Sequence, residues 1–256
     1  MSIIKFVQIN IYKGKYLDDL LRFLKEENPD FISMQEVTTN GFNLCSDKSI
    51  NLFDLMRGKL KMDGVFNGDL KLTSDASSVF GNAVLSKHKI VKSNVRVLKQ
   101  FRPVSLEELD GDSAFEIRPK IDRHLLDAQA DYKGKSIHVL SWHGAWTAPP
   151  TDTEETMRQA QVVSNYLAHL AGPFILGGDL NNIIGSKTVG FIDRVAQNLM
   201  KGVKVKQTTH PRFHKIAPRG FLVDYIFCST DFKLKSLRVP EVLISDHLPV
   251  VAELEF

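Results

Sequence analysis

The sequence predicts an α/β protein in which stacked mixed β-sheets are covered by helices. Short apolar strand-like runs are spread along the whole chain, and helical stripes are inserted between them without the strict alternation of a doubly wound sheet. A chain of 256 residues, 43% hydrophobic and 25% charged, is long enough to bury a full core. No Pro/Gly/Ser-rich linker divides it, so one domain over 1–256 is expected.

The elements follow in order. Ile3 to Ile9 reads as a strand, and Leu17, Leu20, Leu21 and Leu24 recur at the spacing of one helical face, with the helix ending near Asn28-Pro29. Phe31 to Met34 is a second strand, so the chain opens with a strand–helix–strand unit. Ser49 to Leu60 has helical character, Ala83-Val84-Leu85 ends a strand, and Ile137 to Ser141 is a strand running into Trp142-His143. Thr153 opens a helix with Thr-x-x-Thr in place of a full capping box, and its stripe is Met157, Ala160, Val163, Leu167 and Leu170. Pro173 to Leu176 is a buried strand ending in Gly177-Gly178-Asp179. Leu222 to Cys228 is another, interrupted by Asp224. The last segment alternates Leu248, Val250, Ala252 and Leu254 inward with Glu253 and Glu255 outward.

Composition excludes several classes. Cys45 and Cys228 match no zinc or redox spacing and are too few for a disulfide scaffold, which suits a reducing cytoplasm. No secretory leader or membrane span is read from the apolar runs. With 33 Lys+Arg against 30 Asp+Glu the net charge is only +3, but the basic residues are clustered. Ala76 to Leu106 has no carboxylate, and neither does Arg194 to Val223, where Lys201, Lys204, Lys206, Arg212, Lys215 and Arg219 gather with His210 and His214.

The polar groups that strands carry to their ends are Asn10, Glu36, His143, Asp179, Asn181, Asp224, Asp246 and His247. In open α/β sheets such ends are where ligands bind. Carboxylates with carboxamides are the ligand chemistry of a hard cation such as Mg²⁺, whereas zinc would want several His or Cys together. Taken singly, Asn10 and Asp179 also suit ordinary turns. Asp224 does not, because Leu222 to Phe227 should be buried, and a buried carboxylate needs a partner or a metal.

Read together, the segments Gln8-Ile9-Asn10, Met34-Gln35-Glu36, Gly81 to Ser86, Trp142-His143-Gly144, Arg158-x-x-Gln161, Gly178-Asp179-Leu180-Asn181, Val223 to Ile226 and Ser245 to Pro249 resemble, in order, the endonuclease/exonuclease/phosphatase superfamily. Trp142 and Gly144 around His143 depart from the usual flanks, and Leu222 stands where a basic residue is common, with Arg219 the nearest substitute. The resemblance implies a four-layer α-β-β-α sandwich of the deoxyribonuclease I type. It also implies a Mg²⁺-dependent phosphoesterase, with Mn²⁺ as a substitute, in which Glu36 is the main metal ligand, Asn10 lies beside it and Asp246 supports or binds metal. Asp179 would position and deprotonate the attacking water, and Asn181 would orient it. His247, held by Asp224, would donate to the phosphate, and His143 would assist.

The superfamily cuts DNA, RNA, lipid and inositol phosphates with similar residues, so the rim must choose the substrate. The basic stretches favour a nucleic acid, DNA first, with Lys204, Lys206, Arg212 and Arg219 as candidate phosphate contacts and Trp142, Trp146 and Phe213 as candidate stacking side chains. A monomer without membrane association is expected. The alternatives are a soluble inositol- or sugar-phosphate phosphatase, and a non-catalytic binding protein on the same fold.

Overall fold

The computed structural model describes residues 2–256, Asp69 by its backbone alone. Two six-stranded mixed sheets lie face to face. The first is built from β1 (Ile3–Asn10), β2 (Phe31–Thr38), β3 (Asp63–Lys71), β4 (Val79–Ser86), β11 (Lys233–Arg238) and β12 (Val250–Glu255), in the order β11-β12-β1-β2-β4-β3. The second contains β5 (Ile90–Lys99), β6 (Arg123–Tyr132), β7 (Lys135–His143), β8 (Phe174–Asp179), β9 (Gln197–Asn198) and β10 (Asp224–Cys228), in the order β5-β6-β7-β8-β10-β9. Each has one parallel pair near its centre, β1 with β2 and β7 with β8, and antiparallel neighbours elsewhere. No helix among the described residues is long and apolar enough to cross a membrane.

Strand periodicity sorts the side chains into layers. Along β1, Val7 and Ile9 turn outward and pack with Leu20 and Leu24 of α1 (Leu17–Glu27) and Leu52 and Met56 of α2 (Leu52–Leu60). Ile4 and Phe6 face the second sheet, in a core that also holds Val139, Ile175 and Ile226. The outer face of the second sheet is covered by α5 (Glu154–Ala168) and α6 (Lys187–Asp193), through Ala160, Val163, Val189 and Ile192. The four-layer α-β-β-α sandwich is thus the observed architecture. A smaller cluster joins Leu109 of α3 (Leu106–Asp110) and Ile117 of α4 (Ala114–Ile117) to Phe42, Leu70 and Phe80 at one end of the first sheet.

Three local expectations are corrected. The helix predicted from Ser49 begins at Leu52, because Asn51 is the residue whose side chain accepts from Asp54 N and caps it. The predicted second strand continues past Met34 to Thr38 through Glu36. Thr153-x-x-Thr156 does close a full capping box, since a threonine hydroxyl at the third position accepts from the Thr153 amide at 2.9 Å just as a carboxylate would.

Towards one end the layer between the sheets turns polar. The inward series Ile4-Phe6 continues as Gln8 and Asn10, and Phe31 continues as Ser33 and Gln35, all buried. Ser33 donates to Gly177 O at 3.1 Å, and Gln35 Nε2 donates to Ser141 Oγ at 2.9 Å, so the sheets are joined there by hydrogen bonds between buried groups. Close approach is possible because residue 177 has no side chain: a Cβ there would meet both Gln8 Oε1 and Ser33 Cβ at 2.7 Å. Gly177→Ala is therefore expected to destabilise the fold by ~1–3 kcal/mol, the usual cost of overpacking. Urea unfolding measures this, and an unchanged midpoint would show that the sheets can move apart at that point.

Candidate active site

Parallel pairing places strand C-termini side by side, and both parallel pairs end at the same polar edge. In the second sheet His143 is the register partner of Asp179, and antiparallel β10 sets Asp224 opposite Asp179 from the other side. In the first sheet Asn10 is the partner of Gln35, and Glu36 follows. Alternation alone would send Glu36 to the helix-covered face with Met34. A register shift between Met34 and Val37, with Glu36 at φ +57°, breaks the alternation, and the carboxylate lies 3.4 Å from the Asn10 amide. Bulges beside functional sites commonly re-aim a side chain in this way. Asn181 has φ +51°, its amide donates to Asp179 Oδ1 at 3.0 Å, and its side chain donates to Gly144 O at 3.2 Å.

Asp179 lies at the centre. Its Oδ2 accepts from Asn10 Nδ2 at 3.1 Å and stands 3.6 Å from His143 Nε2 and 3.8 Å from His247 Nε2. His247 Nδ1 is 2.8 Å from Asp224 Oδ2, and Gln8 Nε2 is 3.4 Å from the other Asp224 oxygen. The Asp224 expectation is met, since this fully buried carboxylate has its partner. Thr208 Oγ1 accepts from the amides of Val223 and Asp224, both at 3.0 Å, and fixes the start of β10.

Burial pushes the Asp179 carboxyl up to about 7, with Asp224 adding to the rise and His247 opposing it. For His247, burial favours the neutral ring, but Asp224, Asp179 and Asp246 overcome that and hold its pKa well above the usual value. His143 goes the other way, neutral through burial and through the positive charge of Arg123 and His247. Of the two imidazoles that face Asp179, His247 is thus biased towards the protonated form and His143 towards the neutral one.

A second corner is formed by Glu36, Asn10 and Asp246. Burial raises Asp246 to about 6, His247 opposes that rise and the Glu36 charge adds to it. Two carboxylates that repel each other are a donor set that a hard divalent cation would relieve and that suits Mg²⁺, while the Asn10 amide nitrogen faces Glu36 and its Oδ1 accepts from Tyr12 N. Ser245 Oγ ties this corner to β1 by donating to Asn10 O at 2.6 Å and accepts from His247 N at 3.2 Å. Elsewhere, one ligand atom each from Asp179, Asp224 and His247, and likewise from His214, Asp246 and His247, lie within 4.8 Å of one another.

The eight strand-end residues singled out from the sequence thus converge. Lys204, Lys206, Arg212 and Arg219 are exposed on the loop before β10, Arg212 lying 3.7 Å from Glu241. Trp142 is 1% exposed within the main core and cannot stack on a ligand, which corrects that expectation; Trp146 and Phe213 remain accessible. Arg158 bonds Glu155 on its own helix. His214 was not anticipated here: its ring meets that of His247 edge-on at 5.6 Å, and burial, then His247, lowers its pKa to about 4. Its only sequence signal is membership of the carboxylate-free stretch, which reads as solvent-facing rim. Tyr12 was also missed. Its amide donates to Asn10 Oδ1 at 3.1 Å, and its phenol pKa is raised by burial and by Asp246 and Glu36.

This architecture has known relatives. An endonuclease/exonuclease/phosphatase from Bacteroides vulgatus superposes with a TM-score of 0.75 at 20% identity, covering all of both chains. A mannosyl-6-phosphatase from Bacteroides thetaiotaomicron superposes with a TM-score of 0.71 at 15% identity over 99% of this chain and 100% of its own. The D. rerio TDP2 protein, complexed with a single-strand DNA product, gives 0.71 at 15% identity over both whole chains. Identities this low speak for the fold alone, and no curated protein sequence matches the chain. The sequence matches the Endonuclease/Exonuclease/phosphatase family over residues 7–247, and the chain belongs to that family, whose members are hydrolases of phosphoester bonds.

Proposed function

We propose that this chain is a Mg²⁺-dependent phosphodiesterase, with Mn²⁺ as a substitute, that hydrolyses nucleic-acid phosphodiesters, DNA first, as a single monomeric domain. The observation that carries this reading is the Asp179 carboxylate, bonded by Asn10 and within 4 Å of two imidazoles biased towards opposite protonation, beside a carboxylate pair suited to a divalent cation. Glu36, Asn10 and Asp246 would hold that cation, which supplies charge neutralisation at a phosphate oxygen. Asp179 accepts the proton of the attacking water, and Asn181 orients it for in-line displacement. His247, oriented and kept protonated by Asp224, donates to the phosphate oxygen that gains charge, and neutral His143 bonds the phosphate from the other side. The exposed cations of the loop before β10 favour a polyanion. The likeness to a mannosyl-6-phosphatase makes a small sugar phosphate the competing substrate. Activity against plasmid, abasic duplex, 5′-tyrosyl and 3′-blocked oligonucleotides, single-stranded RNA, and inositol and sugar phosphates separates the two.

Chelator should abolish turnover, Mg²⁺ or Mn²⁺ should restore it better than Ca²⁺, and Glu36→Gln should raise the Mg²⁺ concentration needed. Full activity in chelator would remove Glu36 from this role. Asp179→Asn and His247→Ala should each lower kcat by ~10²-fold or more. Asp224→Asn combined with His247→Ala should be little worse than either alone, whereas additive losses would separate the pair. Because Asp179 works deprotonated and burial lifts its pKa to about 7, the rate should rise with pH through the neutral range. A cation beside it favours the charged form, so more Mg²⁺ should move that limb to lower pH. For the substrate class, affinity of the Asp179→Asn protein for a short duplex should fall linearly with salt on logarithmic axes. Removing Lys204, Lys206, Arg212 or Arg219 should each lower the slope by about one. A shallow slope, indifferent to these changes, would favour the sugar phosphate.

A further inference from the structure

Three residues beyond His143, Trp146 leaves the core at the rim of the site. Phe115 of α4 is 72% exposed, and its ring meets that of Trp146 edge-on, centroids 5.6 Å apart at 61°. The Arg118 guanidinium lies over the Trp146 ring at 5.6 Å. It is held there by bonds from Nε to Leu109 O at 2.7 Å and from Nη2 to Asp110 Oδ1 at 2.8 Å. Asp110 in turn reaches Lys13, three residues past Asn10, at 3.6 Å, and Lys215, next to His214, at 4.0 Å. Contacts from Asp110 thus tie the α3–α4 segment to the two chain segments that flank the catalytic cluster, and the ring pair is anchored to the site rim.

Scattered apolar side chains on a surface need no explanation, but this one belongs to a built pair: a tryptophan with a cation over its ring, joined to a phenylalanine left largely open. We infer that Phe115 and Trp146 form a stacking platform for the nucleobase of the nucleotide adjoining the scissile phosphate; this rests on the nucleic-acid reading above. A planar heteroaromatic ring is the ligand group that the open Phe115 face, braced edge-on by the cation-backed Trp146 ring, recognises best. Such stacking tolerates any base, so the platform would hold the strand without reading its sequence.

The test uses the two tryptophans. Trp142 is buried, so quenching by a ligand reports on Trp146. Asp179→Asn protein with Mg²⁺ is titrated with AMP and with ribose 5-phosphate, alone and with Phe115→Ala or Trp146→Phe. AMP should quench and ribose 5-phosphate should not; Trp146→Phe should remove the signal, and Phe115→Ala should weaken AMP binding by roughly 5- to 100-fold. On a short oligonucleotide, Phe115→Ala in the active enzyme should raise KM with kcat kept, and Phe115→Tyr should restore it. Equal quenching by ribose 5-phosphate would overturn the inference. So would an oligonucleotide that is cleaved with an unchanged KM by Phe115→Ala, and that outcome would leave the nuclease reading standing. Hydrolysis of sugar phosphates with no binding or cleavage of nucleotides would remove the nucleic-acid reading and the platform together.

Discussion

Two carboxylates, Asp179 and Asp224, face each other across adjacent strands at almost no solvent exposure, and a cation beside them offsets the cost of charging both. His247 supplies the charge. It comes from a loop after β11, yet its Nδ1 is within 2.8 Å of Asp224 and its Nε2 points to Asp179. The surrounding structure serves this contact. Thr208 pins the strand that carries Asp224, Ser245 braces the His247 loop against β1, and Gln8 reaches the remaining Asp224 oxygen. Removing one member would leave a buried charge unpaired, which costs far more than the net worth of the pair.

Each sheet makes its contribution by the same device, a central parallel pair whose strands end at a common edge. The inward residue series of β1, β2, β7 and β8 begins apolar and ends polar, so the hydrophobic core grades into the site without a boundary. Regular alternation delivers Asn10, His143 and Asp179 to that edge. Glu36 and Asn181 arrive by left-handed backbone, a conformation that costs energy for residues with a side chain and that recurs where function requires it. The fold is rigid where it positions groups and departs from regularity only where regular strands cannot reach.

The rim follows different rules. The α3–α4 segment and the loop before β10 come from connections between strands of the sandwich, and loops of this kind vary freely while the scaffold holds. They meet through Asp110, Lys13 and Lys215, so the two walls of the site are linked by ion pairs. Exposed pairs of this sort contribute little to stability. Their consequence is geometric: through Asp110 they tie Arg118, and with it the Trp146 and Phe115 rings, to the segments that carry Lys13 and Lys215.

Most of the scaffold was legible in the sequence because it rests on local patterns. Period-two alternation marks strands such as Val250–Glu255, a 3.6-residue stripe marks Leu17–Glu27, and a carboxylate inside Leu222–Phe227 announces that something must meet it. The family resemblance added the four layers, which no single segment encodes. Trp142 was misjudged as a possible stacking group because parity on β7 is visible in sequence but the identity of the layer behind each face is not. His214 and Tyr12 were missed, since neither differs from a loop residue until the chain folds. The sequence by itself determined which residues end the strands and which of them carry charge. Only tertiary structure decided that Glu36 turns inward, that His214 meets His247 and that Asp110 joins two walls, because each depends on a backbone departure or on segments far apart in the chain, and local periodicity carries no information about either.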